Sequence, residues 1–120
     1  LNFDAIKACN IKSAMINSEA TNNITFELRN SNGTVIDDTT LSVNIGWQRV
    51  NLNFNVPIGN DYQIGVANGN LQTYGLYRND AGASYPYNIG SAVNITSSSA
   101  TTAPYSYYYF YLIMNLPLYI

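Results

Sequence analysis

The sequence predicts an all-β protein: an antiparallel β-sandwich of about eight or nine strands, jelly-roll or immunoglobulin-like in arrangement. Three observations predict it. Apolar and polar residues alternate with a period of two along nearly the whole chain, the spacing of strands with one buried face. No window of a dozen residues carries a 3.6-residue apolar stripe free of glycine or β-branched runs, so helices should be scarce. Turn chemistry recurs about every ten residues, the rhythm of short strands folded back on one another. At 120 residues the chain predicts one domain, a sandwich over residues 1–111 followed by an apolar strand end and tail over 112–120.

The elements follow in order. Cys9, Ile11 and residues 13–15 alternate with polar or small neighbours and read as a strand, as do Ile24, Phe26 and Leu28 against Thr25, Glu27 and Arg29. Asn30-Ser31-Asn32-Gly33 tolerates the left-handed backbone of a tight turn, so residues 24–29 should fold back onto 34–38 as a hairpin. Leu41, Val43 and Ile45 continue the alternation. Val50, Leu52, Phe54 and Val56 against Arg49, Asn51, Asn53 and Asn55 give the clearest strand, closed by Pro57-Ile58-Gly59-Asn60. Tyr62, Ile64 and Val66 restart the pattern. Short strands are expected around 74–77 and 92–96, and a long one over 105–114. Residues 78–90 are dense in turn formers and read as a long loop carrying Tyr85-Pro86-Tyr87, the kind of loop that is functional or specially braced.

Composition narrows the function. There is no histidine, which excludes imidazole bases, Ser-His-Asp and Cys-His nucleophile pairs, and His-ligated metal. Five Lys+Arg against seven Asp+Glu leave no footprint for nucleic acid or an anionic membrane. Surface polarity comes instead from 18 Asn, 10 Ser and 9 Thr, with only 10% charged residues, a balance expected of a secreted or cell-surface protein or of a virion. Leu1 reads as a processed start, and the apolar end from Tyr107, broken by Asn115 and Pro117, is too short to span a bilayer, so no transmembrane segment is expected. The lone Cys9 reads as a small buried hydrophobe.

Phe26-Glu27-Leu28-Arg29-Asn30, Gly33-Thr34-Val35, residues 50–62 (VNLNFNVPIGNDY), Leu76-Tyr77-Arg78-Asn79 with Gly82, Tyr85-Pro86-Tyr87, Val93-Asn94-Ile95-Thr96 and Tyr107-Tyr108-Tyr109-Phe110-Tyr111 follow one another in an order that resembles a β-sandwich module repeated in secreted multidomain proteins of Bacteroidota. The resemblance spans about residues 3–111, and Leu76–Asn79 with Tyr85-Pro86-Tyr87 is its most specific part. It implies a non-catalytic accessory or adhesive unit exported by the type IX route, and phages of such bacteria could carry the same module in a capsid decoration, spike or fibre. In the family the aromatic strand is followed by an acidic residue and a tryptophan. Here Leu112, Met114, Leu116, Leu118 and Ile120 follow, an apolar end suited to docking on another chain or a copy of itself.

The residues point to binding rather than catalysis. Asp37 and Asp38 are adjacent, so a strand sends them to opposite faces and they cannot flank one glycosidic bond. Asn60, Asp61 and Asp80 offer oxygen ligands for calcium, the one cofactor the sequence leaves open, but without a spaced Asp-x-Asp-x-Asp run. Neutral polysaccharide is the expected small-molecule partner: sugars stack apolar C–H faces on aromatic rings and pair their hydroxyls with amides. Most of the eleven tyrosines should be core or corner residues, leaving Trp47, Tyr74, Tyr85, Tyr87 and Tyr105 as glycan-binding candidates. Trp47 follows Gly46 in the connection between two strands, where it either leans on the core rim or stands exposed. Arg78 beside Asp80 is expected to brace the 78–90 loop through its five donors.

Overall fold

The protein, in a computed structural model that describes residues 2–67, 87–97 and 114–115, is all-β. Nine strands run through the described residues, with no helix among them: β1 (Asn2–Ala5), β2 (Cys9–Ser18), β3 (Asn22–Arg29), β4 (Val35–Val43), β5 (Gly46–Val56), β6 (Gly59–Val66), β7 (Tyr87–Ile89), β8 (Val93–Ser97) and β9 (Met114–Asn115). They form two antiparallel sheets, ordered β4-β3-β6-β1-β8-β7 and β5-β2-β9. The chain crosses between sheets at β1–β2, β2–β3, β4–β5, β5–β6 and β8–β9.

One apolar core lies between the sheets. Phe3, Ile24, Phe26, Leu28, Ile64 and Val93 from the larger sheet and Ile11, Ile16, Leu52 and Phe54 from the smaller belong to a single buried cluster. The period-two alternation produces this directly, because every second side chain of a strand reaches the same face. Phe3 and Tyr62, cross-strand partners on β1 and β6, stack with ring centroids 5.6 Å apart.

The expected hairpin is present as β3 and β4. Asn30 N donates to Thr34 O at 2.9 Å, the Asn30 side-chain oxygen accepts from the amides of Asn32 and Thr34, and Gly33 takes φ +79°. Four details differ from the sequence reading. Asn2–Ala5 is a strand, although four residues are too few to show a period in the sequence. Residues 35–43 form one continuous strand. Tyr87–Ile89, expected within the long loop, pairs with β8. Trp47 sits inside β5 rather than in a connection. The expected strand around 74–77 lies outside the described residues, as does the one expected over 105–114 except for Met114, which falls in β9.

Candidate functional site

The outward face of the small sheet gathers the feature that sequence alone left undecided. Along β5, Val50, Leu52, Phe54 and Val56 are buried, so Trp47, Arg49, Asn51, Asn53 and Asn55 form the opposite, exposed row, roughly 26 Å long at about 3.3 Å per residue. Trp47 is 62% exposed at its head, which resolves the sequence alternative in favour of exposure.

The Trp47 end is held from within its own turn. Gln48 Oε1 accepts from Asn44 N at 3.0 Å, and its Nε2 donates to Asn44 O at 2.6 Å and Gly46 O at 3.3 Å. One side-chain amide thus stands in for a missing ladder partner, with Gly46 at φ +97° making the bend. Ile45 and Trp47 project from this braced turn into solvent.

The remainder of the row is held from β2. Cross-strand register sets Asn17 opposite Trp47, Met15 opposite Arg49, Ser13 opposite Asn51 and Asn10 opposite Asn55. Asn10, 3% exposed, donates its two amide hydrogens to Asn53 Oδ1 at 2.8 Å and Asn55 Oδ1 at 2.9 Å. Arg49 Nη1 donates diagonally to the oxygen of buried Ser13 at 3.0 Å. A bulge makes this geometry: between Ile11 and Ser13 the register shifts against Phe54 and Asn51, and Asn53 absorbs the extra residue in the left-handed region at φ +54°. The alternating asparagines were legible in the sequence, but their anchoring by Asn10 and Ser13 was not, because it depends on which residues of β2 face them.

The other candidates are spread out. Asn60 and Asp61 are exposed at the start of β6, where Asp61, at φ +59°, donates its backbone N–H to Asp4 Oδ1 at 2.9 Å. Among the described residues no three His, Cys, Asp or Glu side chains converge as metal ligands. Asp37 and Asp38 are exposed on β4, and Glu27 is paired with Arg29 at 2.7 Å. Tyr87 faces Ile95 in the backbone register, and Met114 pairs with Ala14. Tyr74, Arg78, Asp80, Tyr85, Tyr105, Leu112, Leu116, Leu118 and Ile120 lie outside the described residues.

A second exposed feature occupies the other end of β5. Ile6 and Ile58 are exposed beside the paired residues Ala5 and Gly59, next to an open depression of about 320 Å³ lined by Ala8, Cys9, Asn55, Val56 and Pro57. Burial of Cys9 at its floor pushes the thiol pKa up. No helix among the described residues is long and apolar enough to cross a membrane. Compared with protein-family models, with curated proteins and with solved structures, the chain matches none.

Proposed function

We propose that this chain is a non-catalytic extracellular β-sandwich module that mediates adhesion or assembly, on a bacterial surface or within a secreted multidomain protein, and that it binds glycan on the outward face of β5. The single observation that carries the reading is Trp47, a large aromatic ring held out in solvent by a braced turn at the head of a row of amides. Exposed rings fixed in one orientation offer stacking area at little entropic cost, and amides pair with sugar hydroxyls. The chain's low charge and high Asn, Ser and Thr content support an extracellular setting. The repeated changes of sheet support a sandwich of jelly-roll or immunoglobulin-like connectivity. The scatter of carboxylates over the larger sheet supports a binding role over hydrolysis.

Trp47 is the chain's single tryptophan, so its intrinsic emission reports on this site alone. Titration with a panel of polysaccharides should shift that emission to shorter wavelength as the indole leaves water. In affinity electrophoresis, Trp47→Ala should abolish retardation while leaving the melting midpoint within about 2 °C, because an exposed ring contributes little to stability. An emission that no glycan moves, or retardation that survives Trp47→Ala, overturns the reading. Assembly, including a place in a virion, is favoured by a different observation, the exposed Ile6 and Ile58 at the opposite end. Light scattering checks it: a self-assembling chain gives a multimer that Ile58→Asp dissociates.

A further inference from the structure

Charge is divided between the two sheets although the chain as a whole is nearly neutral. The strands of the three-stranded sheet contain Lys12 and Arg49 and no carboxylate. Those of the six-stranded sheet contain Asp4, Glu27, Asp37, Asp38 and Asp61 against Arg29 alone. The two strand arginines are used differently. Arg29 lies along its sheet, with two bonds to Glu27 and one to Val66 O. Arg49 is exposed, with no carboxylate partner among the described residues, yet its guanidinium is fixed by the buried Ser13 hydroxyl.

We infer that the outward face of β5 takes an acidic saccharide, with a sugar ring stacked on Trp47 and a carboxylate of the same oligomer held by Arg49. This rests on the glycan-binding reading and specifies its ligand class, where composition alone suggested a neutral one. The hydrogen-bond polarity of the row agrees with the charge. Asn10 occupies the side-chain oxygen of Asn53, so this exposed side chain has its NH₂ to offer as a donor, on the sheet that also carries Arg49 and the exposed Lys12. A face of donors and cations complements a ligand of acceptors and carboxylates. Trp47 and Arg49 are alternate residues on one strand, about 7 Å apart along the backbone, and Arg49 leans further along the row toward Ser13. That spacing suits an oligosaccharide, the ring on one unit and the carboxylate on the next. Because Ser13 fixes the guanidinium before any ligand arrives, less freedom is lost on binding.

Matched pairs of oligosaccharides test this: oligogalacturonate, alginate and hyaluronate oligomers, each beside its carboxyl-reduced neutral counterpart, titrated against Trp47 emission at one ionic strength. At least one acidic member should bind about tenfold more tightly than its neutral twin. That advantage should vanish in Arg49→Gln, weaken in Ser13→Ala and shrink with added salt, while the affinity for the neutral twin stays the same. Equal binding of acidic and neutral twins overturns the acidic ligand and leaves the glycan reading standing. No response to any member overturns both. An acidic preference that survives Arg49→Gln overturns the assignment to Arg49, and thermal melts of each variant confirm that it is folded.

Discussion

At Gly65 the absence of a single methyl group decides the path of a side chain. A Cβ there would sit 2.7 Å from Arg29 Nη1 and 3.1 Å from Cζ, so a side chain at this position would force the guanidinium to shift. Gly65→Ala should push Arg29 off Val66 O and cost about 1 kcal/mol. In an Arg29→Ala background the same change should be slightly stabilising, as alanine usually is over glycine within a strand, and a double-mutant cycle on urea midpoints measures the difference. Cys9 is governed by burial instead. Its folded pKa is raised above the unfolded value of about 8.5 because desolvation disfavours the thiolate. Below that value both states hold the proton and Cys9 contributes no pH slope. Above it the unfolded chain ionises first, so stability declines as pH rises toward the folded value. Denaturation midpoints from pH 7 to 10 should fall less steeply in Cys9→Ala. Thiol reagents should label the native chain slowly and the unfolded chain at once.

The element that matters most is β5, because its bulge and its turn together present the outward row. Asn tolerates the left-handed region at Asn53, where other L-residues lose about 1 kcal/mol or more. Asn53→Gly should lose mainly the acceptor for Asn10, whereas Asn53→Ala should lose that bond and add backbone strain. Alanine should therefore melt about 4 °C below glycine, the reverse of their usual order within a strand. The alternation of residues 49–56 is unbroken in sequence, so the bulge could not be read there. On the partner strand the apolar core positions pass from Ile11 to Ala14, an odd step that marks the shift once the two strands are paired.

At the scale of the whole molecule, the two sheets meet in a core to which both contribute. Phe26 on β3 and Phe54 on β5 are each fully buried in it. Phe26→Ala and Phe54→Ala should each cost about 3–5 kcal/mol, and each should lower one and the same cooperative transition. Calorimetry that resolved two transitions, one per sheet, would contradict the shared core. The division of charge is visible only at this scale. Charges of both signs are interspersed along the chain, never more than two of one sign in succession, and it is the topology that sends Lys12 and Arg49 to one sheet and most of the carboxylates to the other.

The sequence by itself determined the all-β class, the β3–β4 hairpin, the burial of Ile24, Phe26, Leu28, Leu52, Phe54 and Ile64, and the polar row opposite them on β5. These are local properties: side-chain period, turn residues and the solvation of apolar groups act within a few positions of the chain. Tertiary structure alone decided whether Trp47 would be exposed, that Asn10 and Ser13 would anchor the row from the neighbouring strand, and that Gly65 would lie beneath Arg29. Each of these depends on register between strands whose partners are distant in sequence. A shift of one residue would have exchanged every inward and outward side chain without changing the composition or the period of either strand.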